Sequence, residues 1–163
     1  LAGPHMDMFM TWFTTMINTI WLWAILAAGG LWKRQSRWVT ISIIVAVFLA
    51  ILVGDVAIKH IVMRIRPYLV IPDAPTLATL KYPISYSFPS GHSFFFFAGA
   101  TVLFRFRRRL GMAAYGLACV VAFSRMYLFM HFPSDVFTGA VLGILIGNIA
   151  WKMCGSAKNR LSD

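Results

Sequence analysis

The chain has 163 residues, enough for one domain and no more. Of these, 60% are AVILMFWYC, only 12% are charged, and the formal net charge is +10; an average soluble domain is about half apolar and about a quarter charged. The composition excludes a water-soluble globule and a disordered chain. Fifteen Lys and Arg stand against five Asp and no Glu, a balance that serves nucleic acid only on a hydrophilic body. No nucleic-acid partner is therefore expected, and basic residues between long apolar runs indicate a membrane protein in contact with the bilayer.

Gly3-Pro4-His5 before Met6 has the form of a cleaved expression tag, so Leu1 to His5 is set apart from a single domain over 6–163. No cleavable signal peptide is expected, because the first apolar stretch is too long and lacks a basic start. Five apolar segments follow in order: Met8–Trp32, Val39–Ile58, Ser90–Phe106, Leu110–Phe129 and Pro133–Met153. Most reach the length of about 20 residues that a helix needs to cross hydrocarbon. The third is short and opens with polar residues, which places its start at the interface or in a polar pocket. The expected fold is all-α, a polytopic transmembrane helical bundle of five full spans. Asn18 interrupts the first segment and leaves room for a sixth, short N-terminal helix. Cys119 and Cys154 lie inside apolar runs, so disulfides do not organise the fold.

The basic residues set the topology. Lys33, Arg34 and Arg37 fill the first loop, Arg105 and Arg107 to Arg109 the third, and Lys152, Lys158 and Arg160 follow the last span. All of them fall on one side of a five-span bundle, which the positive-inside rule makes cytoplasmic, with the C-terminus. Trp32, Trp38 and Trp151 sit beside these clusters, where interfacial aromatics belong. Lys59, Arg64, Arg66, Lys81 and Arg125 remain on the opposite face, together with His60, His92, His131 and Asp135. That rule disfavours cations there, so they need another reason.

Three blocks on this face could carry chemistry, although each alone has an ordinary structural explanation. Lys59 and Arg66 are seven positions apart, close to two helical turns, and project from one face; Pro67 ends the segment. Taken alone they are snorkelling cations. In Pro89-Ser90-Gly91-His92, Ser90 suits an N-cap, Gly91 lets a ligand approach the backbone, and a helix N-terminus is an anion site. It is also common loop-to-helix punctuation. Ser124-Arg125 is followed by His131, and Asp135 lies about one turn beyond it. Asp135 can accept the imidazole N–H, leaving the other ring nitrogen free to attack, and it can equally cap the last helix. Together the blocks form a pocket for a group with two or more negative charges. At about 4 Å and an effective dielectric of about 20, each cation contributes about 4 kcal/mol of gross attraction. Two histidines with different partners then supply a nucleophile and an acid, the division of labour of phosphoryl transfer through phosphohistidine.

Lys59-x6-Arg66-Pro67, Pro89-Ser90-Gly91-His92 and Ser124-Arg125-x5-His131-x3-Asp135 resemble, in order and spacing, the three-part signature of the type 2 phosphatidic acid phosphatase superfamily. The resemblance covers Lys59 to Asp135 and extends weakly to the N-terminus. It implies that His131 is the nucleophile, that Asp135 orients it, and that His92 protonates the leaving oxygen and then activates water. Lys59, Arg66 and Arg125 would bind the phosphoryl oxygens, with Ser90 and the Gly91 N–H completing the cradle. It implies no metal and no cofactor. A zinc site of His92, His131 and Asp135 is the rival reading by ligand type, but it leaves three cations beside a dication. Asp55, four residues before Lys59, is a supporting partner for that cation. His60 and Arg64 flank the first block off its main face, as interface decoration or as substrate contacts, and the loop from Tyr68 to Phe88 forms a lid, a headgroup contact or an aromatic interfacial surface.

A lipid phosphate is the implied substrate, and small bacterial relatives of this kind make undecaprenyl diphosphate the first choice. Phosphatidylglycerophosphate, phosphatidic acid and lipid A are the alternatives. A non-enzymatic anionic-lipid binder or a small transporter is the competing class; a transporter would carry inverted repeats or broken mid-membrane helices. No pattern in the chain specifies an oligomeric state.

Overall fold

The computed structural model describes residues 3–16, 37–71 and 85–160, and every regular element among them is a helix. α1 (Pro4–Met16) is followed beyond the gap by α2 (Arg37–Ala50), which runs on through a π-helical stretch, Ile51–Ile58, into the single turn α3 (Lys59–Val62). The short α4 (Pro67–Val70) comes next, then α5 (Gly91–Phe106), α6 (Arg108–Tyr127) and α7 (Pro133–Arg160). Arg37–Val70, Arg108–Tyr127 and Pro133–Gly155 are long and apolar enough to cross a membrane. α5 has 16 residues, roughly 24 Å of helix, shorter than a hydrocarbon core. Most of the first expected span, with Trp32, Lys33 and Arg34, lies outside the described residues, as do Lys81 and 72–84 of the expected lid.

Composition explains why these helices stay together in lipid. α2 is apolar on nearly every side, and Ile41, Ile44 and Phe48 point outward, as on a helix facing hydrocarbon. Its inward residues Val39, Ile43 and Ala46 form one core with Phe96, Ala98 and Val102 of α5, Ala118 and Val121 of α6, and Ala150 of α7. Small side chains dominate that core, so backbones approach closely.

α5 and α7 run parallel and approach closely along several turns. Gly139, Gly143 and Gly147 form a ridge at four-residue spacing, and Cβ atoms there would lie 2.6, 2.5 and 2.5 Å from the carbonyl oxygens of Ser90, Phe94 and Ala98. Only hydrogen fits. At the far end α5 turns into α6 through Arg107, and Arg105 Nε donates to Asn148 Oδ1 at 2.8 Å. Arg37, Arg105, Arg107 to Arg109 and Lys152 thus gather at the end opposite Ser90 and Asp135, as their sequence positions predict. Lys158 and Arg160, as side chains, lie outside the described residues.

The π-helical stretch adjusts α2 for the site. Lys59 N–H bonds back to Gly54 O, five residues earlier, a pattern often found where helices serve function. Gly54 is the contact point, since a Cβ there would stand 2.8 Å from Phe94 Cδ1. Asp55 is thereby brought beside Gly91 at the start of α5.

Candidate active site

The loop between α6 and α7 presents His131. α6 ends in its own carbonyls: Leu128 N–H bonds Ser124 O, and the N–H groups of Met130 and His131 both bond Arg125 O, at 3.0 and 3.2 Å. Phe129 takes a left-handed φ of 54° to make the reversal, an uncommon conformation for an aromatic residue. Tyr68 N–H donates to Phe129 O at 3.1 Å and ties the turn to α4. α1 supports it from outside, with Met10 packed on Leu128 and Met130 and Tyr127 Oη donating to Asp7 at 2.7 Å.

His131 is buried, and its two ring nitrogens have different surroundings. Nδ1 lies 2.7 Å from the backbone carbonyl of Ser87. A carbonyl only accepts, so Nδ1 carries the proton and Nε2 carries the lone pair. Nε2 faces Arg66 Nη1 at 3.4 Å. Burial, the largest influence, lowers the imidazole pKa to about 4, so the ring is neutral at pH 7. Unfolded, the same ring titrates at about 6.5. Between those values the unfolded chain binds the additional proton, so this residue's contribution to stability is complete above about pH 6.5 and lost as pH falls towards 4. The drop in thermal unfolding midpoint from about pH 7 to about pH 4.5 is expected to be smaller in His131→Gln than in wild type. Equal drops would assign the titration to another group.

The expected direct hydrogen bond from His131 to Asp135 is not what forms. Asp135 Oδ2 is 3.7 Å from Nδ1, beyond hydrogen-bond range. The Ser87 hydroxyl bridges the gap by donating to Oδ2 in a short hydrogen bond. Phe132 N–H also donates to Oδ2, at 2.9 Å, the reach-back of an N3 acid to the N-cap N–H. Of the two sequence readings of Asp135, the cap of α7 is present in the geometry, and the direct hydrogen bond to the imidazole is replaced by contacts through Ser87.

Arg66 is fixed on three sides. Nε donates to Ser85 O and Nη2 to Ser85 Oγ, both at 2.7 Å, and Nη1 to Met130 O at 3.2 Å. The expected continuous helix from Lys59 to Arg66 does not exist. Met63 enters the left-handed region at φ 49° and stops α3 at Val62, while Arg66 is extended before Pro67, as a residue preceding proline prefers. Lys59 reaches the site from the helix and Arg66 from the loop, and both charges act on His131. Asp55 pairs with Lys59 at 2.5 Å, as expected from their spacing. Arg125 is buried in the last turn of α6, with Nη1 3.6 Å from Met130 Sδ. Ser90 has the extended conformation of an N-cap but makes no side-chain cap hydrogen bond; its hydroxyl accepts from Ser93 Oγ at 3.1 Å, and its N–H bonds Asp135 O at 3.0 Å. His92, one residue into α5, lies in the fields of Arg125, His131, Lys59 and Arg66. All three blocks converge.

Sequence reasoning missed three contributors. Arg64, read as interface decoration or a substrate contact, bonds Asp135 Oδ1 and Ser134 Oγ at 2.7 Å each. Ser87 holds both His131 and Asp135, and Ser85 holds Arg66. The available signal was the alternation Arg64-x-Arg66 against Ser85-x-Ser87, two strips side by side, with Ser87 N–H donating to Arg64 O at 2.7 Å. Beside them lies a cavity of about 230 Å³ lined by Arg64, Ile65, Arg66, Leu69, Ser85 and Tyr86.

This cluster sits inside a segment, residues 38–158, that matches the model of the PAP2 superfamily. The chain belongs to that superfamily. PAP2 members are lipid phosphatases that hydrolyse phosphate esters. An undecaprenyl-diphosphatase of Sulfolobus acidocaldarius is 30% identical over 132 residues, 80% of this chain and 63% of that protein. The chain thus spans under two thirds of the length of this relative. The crystal structure of Aquifex aeolicus LpxE superposes with a TM-score of 0.79 at 28% identity, covering 93% of this chain and 88% of that one. A transmembrane PAP2-type phosphatidylglycerolphosphate phosphatase from Bacillus subtilis shares the fold, with a TM-score of 0.74 at 24% identity over 96% of this chain and 80% of that one. With its long apolar helices, this PAP2 chain is an integral membrane protein.

Proposed function

We propose that this PAP2 chain hydrolyses a lipid phosphate or diphosphate through a phosphohistidine on His131, with undecaprenyl diphosphate as its substrate. The observation that carries the reading is the tautomer of His131: its proton is committed to Ser87 O, and its lone pair is aimed past Arg66. A neutral, oriented imidazole beside fixed cations is what attack on a phosphoryl group requires. Lys59, Arg66 and Arg125, with the first turn of α5 at Ser90 and Gly91, would hold the equatorial oxygens, where charge spreads in the transition state. His92 would protonate the leaving oxygen and then take a proton from the attacking water. Asp55 would hold Lys59 in place. The reaction needs no metal ion in this scheme, because a dication would repel the three cations.

In the membrane we place five spans, with the basic end in the cytoplasm, the C-terminus there too, and the site facing the extracytoplasmic side of a bacterial inner membrane. The basic cluster at the end opposite His131 supports that orientation. Undecaprenyl diphosphate is favoured because its recycling is needed on that side and because a relative carries that activity in its name. The test is phosphate release in detergent with EDTA from undecaprenyl diphosphate, phosphatidylglycerophosphate, phosphatidic acid and lipid A. Fastest turnover of the polyprenyl diphosphate is expected. Preference for another lipid would replace the substrate, abolition by EDTA would restore a metal mechanism, and release from none would leave a lipid-binding or transport protein.

A further inference from the structure

Asp135 has no exposed surface, and its carboxylate collects donors from three separate segments. A buried charge of this kind is tolerated only when paired and hydrogen-bonded. The paired cation is Arg64, which neither the expected nucleophile nor the phosphate cradle accounts for. Its Nη1 lies 2.7 Å from Asp135 Oδ1 and 2.7 Å from Ser134 Oγ. The guanidinium carbon stands 4.0 Å above the centre of the Phe132 ring, within cation–π range. The group is thus held on Phe132, Ser134 and Asp135, the residues that follow His131 in the chain. Its backbone carbonyl accepts from Ser87 N–H at 2.7 Å, and Ser87 is the residue whose own carbonyl fixes His131.

We infer that Arg64 is a positioning residue: it holds the Asp135 carboxylate away from the His131 ring and offsets its charge, without touching the phosphoryl group. The inference rests on the reading of His131 as nucleophile. Its physical basis is the arrangement of charge around that ring. Arg66 Nη1 faces Nε2 at 3.4 Å, Lys59 and His92 act on the ring through their charge or proximity, and Asp135 Oδ2 stands 3.7 Å from Nδ1 on the other side of the ring. Arg64 sits behind Asp135, on the oxygen remote from the ring. With Arg64 present, the carboxylate is partly neutralised and pinned, so the imidazole keeps its low proton affinity and its orientation. Without it, Oδ2 keeps its bonds from Ser87 and Phe132, but Oδ1 loses its partner and a full negative charge stands beside Nδ1.

The experiment compares wild type with Arg64→Gln and Arg64→Lys, each as the full chain in detergent. It reads kcat and KM on the lipid phosphate that wild type hydrolyses fastest. It also reads the His131 imidazole titration by NMR, assigned through its loss in His131→Gln. R64Q is expected to lower kcat about 10²-fold, the scale of a small misplacement of a reacting group. KM should stay within about threefold, since uniform binding is untouched. The His131 titration should rise by about one pH unit, as loss of a unit charge several ångströms away implies. R64K should recover about tenfold of the lost kcat, because it restores the charge without the planar fork. A wild-type kcat in R64Q overturns the inference. A loss confined to KM would put Arg64 on the substrate, and a loss of kcat with an unmoved titration would make it a structural prop; either overturns it too. If R64Q does not fold, R64K decides on the same readouts, since wild-type kcat and titration are expected there only in part. If wild type releases phosphate from no lipid, the proposed function fails, and the His131 titration alone still decides the role of Arg64.

Discussion

Replacing His131 with alanine is expected to lower kcat by about 10⁶-fold, the scale of removing a catalytic nucleophile. The size follows from the arrangement of the ring. Nδ1 is committed to Ser87 O, Nε2 is the free lone pair, and Arg66 Nη1 stands 3.4 Å from it. The imidazole pKa of about 4 keeps that lone pair available across the neutral range. Alanine leaves the cations in place but offers nothing to form the covalent bond, so substrate should still bind while turnover stops. Enzyme quenched in alkaline denaturant during turnover of radiolabelled substrate should carry a base-stable, acid-labile phosphate in wild type and none in H131A. Residual activity above about a hundredth of wild type, or label retained by the variant, would remove His131 from the chemistry. Inorganic phosphate or vanadate should protect the wild type against thermal unfolding, and should still protect H131A, because the cradle survives the substitution.

Gly139→Ala is expected to damage both stability and turnover. Its added methyl would lie 2.6 Å from Ser90 O, 3.2 Å from Ser93 Cβ and 3.3 Å from Phe94 N. Two of these neighbours are backbone atoms in a helix, which cannot rotate aside as a flexible side chain can. Overpacking of this kind costs about 1–3 kcal/mol. The same displacement pushes the first turn of α5, with Ser90, Gly91 and His92, away from His131, and a shift of about 1 Å can cost about 10²-fold in rate. Gly147→Ala is the matched control: its methyl would lie 2.5 Å from Ala98 O and 2.7 Å from Thr101 Cβ, two turns further from the site. Both variants should lose similar unfolding midpoint, measured in the same detergent, and only Gly139→Ala should lose most of its kcat. Equal losses of activity would mean that the seam stabilises the fold without aiming the site.

The candidate site was legible because it consists of residue types at fixed spacing. Lys59, Arg66, His92, Arg125, His131 and Asp135 could be named before any coordinates, and the structure brings them together. Ser90 as the residue entering α5 and Asp55 as the partner of Lys59 were equally readable. What escaped was set by backbone. The left-handed turn at Met63 has no marker, since glycine or asparagine would announce such a turn and methionine does not. It separates Lys59 from Arg66 and sends Arg64 under Asp135, where the sequence reading left it flanking the first block. The acceptor that fixes the His131 tautomer is a carbonyl, a group every residue carries, so this role of Ser87 has no marker in its side chain. The glycines at 139, 143 and 147 were visible as letters, but their partners are backbone oxygens of another helix. The π-helical stretch from Ile51 to Ile58 is likewise unmarked by composition.

The glycine ridge bears on how a long-tailed substrate can come and go. Where carbonyl oxygens of one helix fill the space that side chains would take on the other, there is no sliding plane and no crevice for an alkyl chain. α5 and α7 therefore travel as a single strut, and a hydrocarbon tail cannot thread between them. Among the described residues, a void already borders the arginines along the flank formed by Ile65, Leu69 and Tyr86, away from that strut.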